Sequence, residues 1–283
     1  MKIGLNLLLW DGTITEKHVA VLEELAALGY DGVEFPIFSF DRNVAKKLRT
    51  HLDRLKLKCT ITSCVPQDGS ANPISEDKKI RQAALNHMKK TIGIAEILGA
   101  EVIAGPFTSP VGRLVGRPRT DEEWKWGVEV MQKVAKATEN SGVLLALEAL
   151  NRFETYFINT AADACKFAEE VNHPNFGIMW DTFHANIEEK NIQKAMMAVA
   201  HKIVHVHISE NHRGIPGAGH IRFGDVFNCL KKMKYDRWLT IEAFGSALPE
   251  LAAATCIWRE LFPSSHDLAE KGLQFIKKQW EKG

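Results

Sequence analysis

Val143-Leu144-Leu145-Ala146-Leu147-Glu148 is a short apolar run that ends on a carboxylate, and three later runs repeat the pattern. They are Gly177-Ile178-Met179-Trp180-Asp181, Val204-His205-Val206-His207 and Leu239-Thr240-Ile241-Glu242. Successive side chains on a strand point to opposite faces, so each run divides into two faces by inspection. Leu144, Ala146 and Glu148 share one face. Gly177, Met179 and Asp181 share another, the two histidines a third, and Thr240 and Glu242 a fourth. Four polar groups thus fall near the C-terminal ends of four successive strands. A closed parallel barrel is the architecture that brings such ends together, and it keeps its chemistry there. The fold class is read as α/β: a (β/α)8 TIM barrel, with residues 1–283 as a single domain.

The rest of the chain fits that frame. Strands are expected at about Lys2 to Leu8, Gly32 to Ile37, Leu57 to Val65 and Glu101 to Phe107. Between them lie amphipathic stretches. One opens at Thr13, with Glu16 three residues on as a capping box, buries Val19, Leu22, Leu25 and Ala26, and stops at Gly29. Others run from Asn43 to Lys56, from Ser75 to Gly99, and from Thr120, with Glu123 closing a second box, to Gly142. Helices are also expected over Ala161 to Val171, Asn191 to Ala200 and Asp225 to Lys234. The last unit carries two, Pro249 to Leu261 and Ser264 to Trp280. Unbroken strand–helix alternation argues for one barrel. A doubly wound sheet would need a glycine-rich turn after the first strand, and Leu9-Trp10-Asp11-Gly12 cannot cradle a dinucleotide.

Composition narrows the functional classes. With 283 residues, 45% hydrophobic and 25% charged, the chain has material for one large core. A formal net charge of +1 gives no reason to expect a nucleic acid or an anionic membrane as partner. Five cysteines, odd in number and without close pairing, read as buried thiols of a reducing compartment. The N-terminal apolar run lacks a cleavage site and no run is long enough to span a bilayer, so the default localisation is cytoplasmic. The connection from Thr108 to Arg119 is long and carries Arg113, Arg117 and Arg119. It follows the fourth strand, on the functional rim, where long ordered loops are often lids. A solvated basic loop is preferred there over a phosphate site.

Glu148, Asp181, His207 or Glu242 taken singly has an ordinary explanation, such as pointing into solvent. All four on the inward face at one end is different. Crowded carboxylates in a barrel mouth repel one another and lose hydration. A divalent cation removes that penalty, and three oxygen donors with one imidazole suit a hard ion. The four are read as ligands of one divalent metal. His205, one layer deeper, is read as a hydrogen-bonded interior histidine or one standing behind the ligands. Gly214-Ile215-Pro216-Gly217-Ala218-Gly219 fits no P-loop spacing and is read as a turn-rich rim loop.

Four segments resemble the ketose 3-epimerases, typified by D-tagatose 3-epimerase and D-psicose 3-epimerase. They are Glu148-Ala149-Leu150-Asn151-Arg152-Phe153-Glu154, Trp180-Asp181-Thr182-Phe183-His184-Ala185-Asn186-Ile187-Glu188-Glu189, Glu210-Asn211 through Arg213 to Gly219, and Ile241-Glu242. The likeness covers most of the C-terminal half and is mainly architectural before it. It implies that Glu148, Asp181, His207 and Glu242 hold one divalent ion, commonly Mn2+, with Mg2+ or Co2+ as substitutes. It also implies that Glu148 and Glu242 are the catalytic acid/base pair, and that Glu154, His184 and Arg213 hold the sugar. Trp10, Phe35, Cys64 and Gly105 are the pocket candidates at strand ends one to four. A homodimer or homotetramer is implied too. The family's Tyr-Trp-Pro-like patch after the fourth strand is replaced here by Phe107-Thr108-Ser109-Pro110, which leaves the preferred sugar open.

The expected reaction is inversion at C3 of a ketose of the D-tagatose, D-psicose, D-fructose or L-ribulose class, through a cis-enediolate. An aldose–ketose or hydroxypyruvate isomerase on the same fold would use the same groups. A metallohydrolase of DNA lesions would want more inward histidines and a basic face. A sugar-binding protein without activity would have no use for two glutamates flanking one metal.

Overall fold

Each of the four decisive runs is a strand, and the sheet they belong to closes on itself. In this computed structural model, which describes residues 1–246 and 249–282, the strands are β1 (Lys2–Asn6), β2 (Gly32–Pro36), β3 (Lys58–Thr62), β4 (Val102–Gly105), β5 (Leu144–Glu148), β6 (Phe176–Asp181), β7 (Ile203–Ile208) and β8 (Trp238–Ile241). Every strand pairs in parallel with the next. β1 pairs with β8 from Lys2↔Trp238 to Leu5↔Ile241, which completes the eight-stranded barrel. Positions 247, 248 and 283 of the expected domain lie outside the described residues.

Outside the strands stand α1 (Val19–Leu28), α2 (Arg42–Leu55), α3 (Lys78–Leu98), α4 (Asp121–Lys136), α5 (Ala161–Val171), α6 (Thr182–Glu188), α7 (Ile192–Ala198), α8 (Phe223–Lys232), α9 (Pro249–Ala254) and α10 (Ser265–Glu281). Local chemistry sets several of their ends. Asp41 and Asp77 accept backbone N–H groups at the starts of α2 and α3. Thr120 and Glu123 form the expected reciprocal box at the start of α4. Such caps are worth about 1 kcal/mol each.

Most apolar residues form two shells, and Leu8, Phe244, Ala252 and Ile257 make a separate small cluster. The larger, between sheet and helices, includes Leu22, Phe107, Phe167, Phe176 and Trp180. The smaller fills the barrel interior with Val102, Ala104, Ala146, Met179 and Trp238. Trp238 takes its room from glycine. A Cβ on Gly32 would sit 2.2 Å from the Lys58 carbonyl oxygen and 2.7 Å from the Trp238 ring. With the interior plugged below, the polar groups sit above it at the mouth.

Several boundaries differ from expectation. The Thr13–Glu16 box does not form. Asp11 accepts from Thr13 N–H, and the cap moves to Thr15, whose N–H donates to His18 Nδ1 at 3.1 Å. Residues Glu16–His18 form a 3-10 turn before α1. α4 ends at Lys136, because Thr138 donates its hydroxyl to the Ala135 carbonyl and tightens the chain into turns before Gly142. The expected helix from Pro249 to Leu261 stops at Ala254, with Cys256 at φ 57. α6 was not expected at all. Cys59, Cys165 and Cys229 are buried thiols as expected, but Cys64 is partly buried and Cys256 is exposed. Among the described residues no helix is long and apolar enough to cross a membrane.

Candidate metal centre

β5, β6 and β7 each bring one acidic or imidazole group to the mouth, and the residue after β8 brings the fourth. Asp181 and His207 are direct partners in the β6–β7 ladder. Glu148, Asp181, His207 and Glu242 are at most 6% exposed. One candidate ligand atom from each lies within 4.8 Å of all the others. Asp181 divides its two oxygens. Oδ1 caps α6, accepting from Phe183 N–H at 2.6 Å and His184 N–H at 3.0 Å, and Oδ2 faces the cluster. The same aspartate therefore ends the strand, starts the helix and offers a ligand.

His207 shows how well the site fits a cation. Its Nε2 is 2.7 Å from Glu34 Oε1, so the proton belongs on that nitrogen. Its Nδ1 is buried, has no hydrogen-bond partner, and lies 3.4 Å from Glu242 Oε1 and 3.6 Å from Asp181 Oδ2. A lone pair held among carboxylates, with its ring oriented by a buried carboxylate behind it, is the arrangement metal-binding histidines adopt. The donor set fits a hard divalent ion.

Glu34, on β2, is the site residue that sequence reasoning missed. It is 0% exposed. Asn6 Nδ2 donates to Oε1 at 3.0 Å and the Thr60 hydroxyl to Oε2 at 2.8 Å. His205, buried in the layer behind His207 as expected, brings Nε2 within 2.9 Å of Oε2. Burial alone would raise the Glu34 pKa. His207 and His205 outweigh it and hold the carboxyl well below the usual range. The available signal was Glu34 alternating inward among apolar neighbours in Gly-Val-Glu-Phe-Pro.

Arg213 and His184 close the other side. Arg213 sits in the left-handed region at φ 62 and stacks its guanidinium 3.8 Å from the Phe183 ring centroid. Its Nη1 donates to Glu242 Oε2 at 2.6 Å and to Ser209 Oγ at 3.2 Å. His184, on α6, accepts the Asn151 N–H at Nδ1, which leaves Nε2 facing Glu148 Oε1 at 3.5 Å and Arg213 Nη2 at 3.1 Å. Burial lowers the His184 pKa. Burial, Glu242 and Asp181 together push Glu148 well above the ordinary carboxylate value. Burial opposes protonation of His207, but Glu34 and Glu242 override it and raise its pKa.

A cavity of about 460 Å³ opens above the cluster. Glu148, Glu154, His184, Arg213 and Glu242 line its polar end, and Cys64 joins them. Burial pushes the Cys64 thiol up to about 11. Trp10, Phe35 and Gly105 do not line it. Leu8 stands in place of Trp10, Phe38 in place of Phe35, and Pro106 beside Gly105. Gly105 has a backbone reason instead. Its φ is 130, and a Cβ there would sit 2.3 Å from the Ser63 carbonyl oxygen. The loop from Thr108 to Arg119 is tied down: Gly112 N–H donates to the Glu154 carbonyl, Arg117 pairs with Glu123, and Arg119 pairs with Asp163.

The family model described as "Xylose isomerase-like TIM barrel" matches residues 22–279. An L-ribulose 3-epimerase of Methylomonas sp. is 30% identical over 99% of this chain and 98% of its own length. A ketose 3-epimerase of Arthrobacter globiformis is 30% identical over 98% and 96%. A solved structure of L-ribulose 3-epimerase superposes with a TM-score of 0.93 at 31% identity, covering 99% of this chain and 94% of that one.

Proposed function

The chain belongs to the xylose isomerase-like TIM-barrel family, among its ketose 3-epimerases, and is a carbohydrate epimerase of the isomerase class; from that premise we propose that it inverts C3 of a free ketose, with Glu148 and Glu242 as the acid/base pair. The observation that carries this reading is that two buried glutamates from β5 and from the end of β8 face one cavity beside Asp181 and His207.

Inverting C3 requires a proton to leave the carbon beside the C2 carbonyl and another to arrive on the opposite face. Glu148, Asp181, His207 through Nδ1, and Glu242 would hold a divalent ion, Mn2+ in our reading, with Mg2+ or Co2+ able to substitute. When bound, such an ion supplies Lewis-acid stabilisation of the enediolate charge. Glu148 and Glu242 take and return the proton, exchanging roles with the direction of reaction. Glu154, His184 and Arg213 orient the sugar, and the last two place N–H donors where oxygen gathers charge. Glu154 is itself held by Asn151 Nδ2 at 2.7 Å.

The cavity favours an unphosphorylated substrate. Among the described residues that line it, Arg213 is the one arginine or lysine, and Glu242 already occupies it. His87 also lines the wall, and burial lowers its pKa, which disfavours a positive charge there. The distal wall is Leu8, Phe38, Val65, Pro66, Val111 and Leu251. Arg117 and Arg119 are spent on carboxylates outside the cavity. We read residues 1–283 as one domain and its assembly as a homodimer or homotetramer, a point for sedimentation analysis.

The test is incubation with D-fructose, D-tagatose or L-ribulose and manganese in deuterated water, read by NMR. Deuterium is expected at C3 as the C3 epimer accumulates, with activity lost to chelator and restored by manganese. Label at C1 with an aldose product would replace this reading with the isomerase one. Turnover surviving exhaustive chelation would remove the metal from it.

A further inference from the structure

Away from the mouth, three side chains of three ligand types converge on the outer wall. Cys165 and Glu169 stand one turn apart on α5, and His201 belongs to the 3-10 turn Ala200–Lys202 that leads into β7. Cys165 Sγ is 3.6 Å from Glu169 Oε1 and 3.8 Å from His201 Nε2, and that nitrogen is 3.0 Å from the same oxygen. A tetrahedral zinc ion, with Zn–S about 2.3 Å and Zn–N or Zn–O about 2.05 Å, needs edges of about 3.6 Å from sulfur and about 3.3 Å between nitrogen and oxygen. All three observed edges agree to within a few tenths of an ångström.

We infer that Cys165, Glu169 and His201 form a second metal site, of the zinc class, with its fourth corner open to water. Exposure fits that description: Cys165 is 6% exposed, whereas the Glu169 and His201 side chains are 52% and 57% exposed. Thiolate and imidazole select zinc over magnesium or manganese, whereas the oxygen-rich mouth favours the harder ions. The two sites therefore sort different metals. Binding displaces the thiol proton. In the metal-free protein that proton is firmly held, since burial and the Glu169 carboxylate push the Cys165 thiol up to about 11. Lys202 is the opposing charge, acting on both Cys165 and Glu169. An ion here ties α5 to the segment entering β7, the strand that carries His207. The inference does not depend on the reaction at the mouth.

The full-length, manganese-loaded protein is titrated with Co2+ as a spectroscopic probe, with zinc as competitor. We expect one equivalent to give a sulfur-to-cobalt charge-transfer band in the near ultraviolet, bleached by zinc and absent in Cys165→Ser. His201→Ala, at an exposed position, should bind cobalt at least about tenfold more weakly, some 1.4 kcal/mol, when affinity is read from that sulfur band and not from total cobalt, which also enters the mouth. Zinc should raise the unfolding temperature of the parent but not of Cys165→Ser. No sulfur band in the parent, or a band that survives Cys165→Ser, overturns the site. An unchanged cobalt affinity in His201→Ala does the same, and leaves an ordinary surface His–Glu pair.

Discussion

At the floor of the barrel, Glu101 is met by Lys2, by Lys58 at 3.3 Å and by the Trp238 indole N–H at 2.8 Å. At the mouth, Glu148, Asp181 and Glu242 share the Arg213 guanidinium and the His184 and His207 imidazoles, and another carboxylate, Glu34, stands behind them. The floor balances its charge with the chain's own donors and is half open to water. The mouth holds its carboxylates buried beneath the cavity, with an excess of negative charge and an imidazole nitrogen that has no hydrogen-bond partner. Effective desolvation of even one buried ion costs several kcal/mol. A fold keeps such an excess where something else supplies the cation, so the mouth is organised for binding and the floor for structure.

The contrast breaks first at the base. Glu242→Gln keeps the size of the side chain and one oxygen but removes the carboxylate proposed as base. Turnover should fall at least about a hundredfold, with the circular dichroism spectrum unchanged. Near-normal turnover of the manganese-loaded variant would take Glu242 out of the chemistry.

Glu34→Gln probes the layer behind the candidate ligands. Replacing one carboxylate oxygen by an NH2 group disturbs the orientation of His207, so manganese affinity should fall by about 10–100-fold, read by calorimetry. Parental affinity in this variant would reduce Glu34 to an ordinary buried carboxylate.

Glu148→Gln sharpens the comparison from the side of stability. It relieves the repulsion that Glu242 and Asp181 exert on a buried carboxylate. In the metal-free protein the unfolding temperature should therefore rise, by about 2–4 °C for each 1 kcal/mol relieved. A fall would mean that the mouth is as well balanced as the floor.

The smallest effect belongs to the floor. Burial opposes ionisation of Glu101, but Lys2 and Trp238 prevail and lower its pKa. Its contribution is therefore complete above the ordinary glutamate value of about 4.3 and is lost as pH falls through the lower folded value. The group is 34% exposed, so solvent screening holds the gain to about 0–1 kcal/mol. Glu101→Gln should cost that much at pH 7 and almost nothing at the acid end of the transition, with turnover unchanged. A loss of turnover would show that the floor is coupled to the chemistry.

Alternation along β5 to β8 was enough to place Glu148, Asp181, His207 and Glu242, since a period of two assigns faces without knowledge of any neighbour. Glu34 escaped the same reading. Its strand, Gly-Val-Glu-Phe-Pro, gives one inward carboxylate no local companion, and its partners His205 and His207 lie far along the chain. α6 escaped because Asp181 was read only as the end of a strand, although an aspartate is also a helix cap. The pocket residues of the first four strands shifted to Leu8, Phe38 and Pro106, because which residue of a loop turns inward depends on how that loop packs.

What the sequence by itself determined was the repeating strand–helix unit, the closed parallel order and the faces of the last four strands. These follow from side-chain periodicity and local capping, which act over a few residues. Only the tertiary structure decided that Glu34 stands behind His207, that Arg213 is committed to Glu242, that Arg117 and Arg119 are turned away from the cavity, and that Cys165 and His201 meet. Each of these pairs groups on different elements through burial and charge, and such contacts exist only once the barrel has closed.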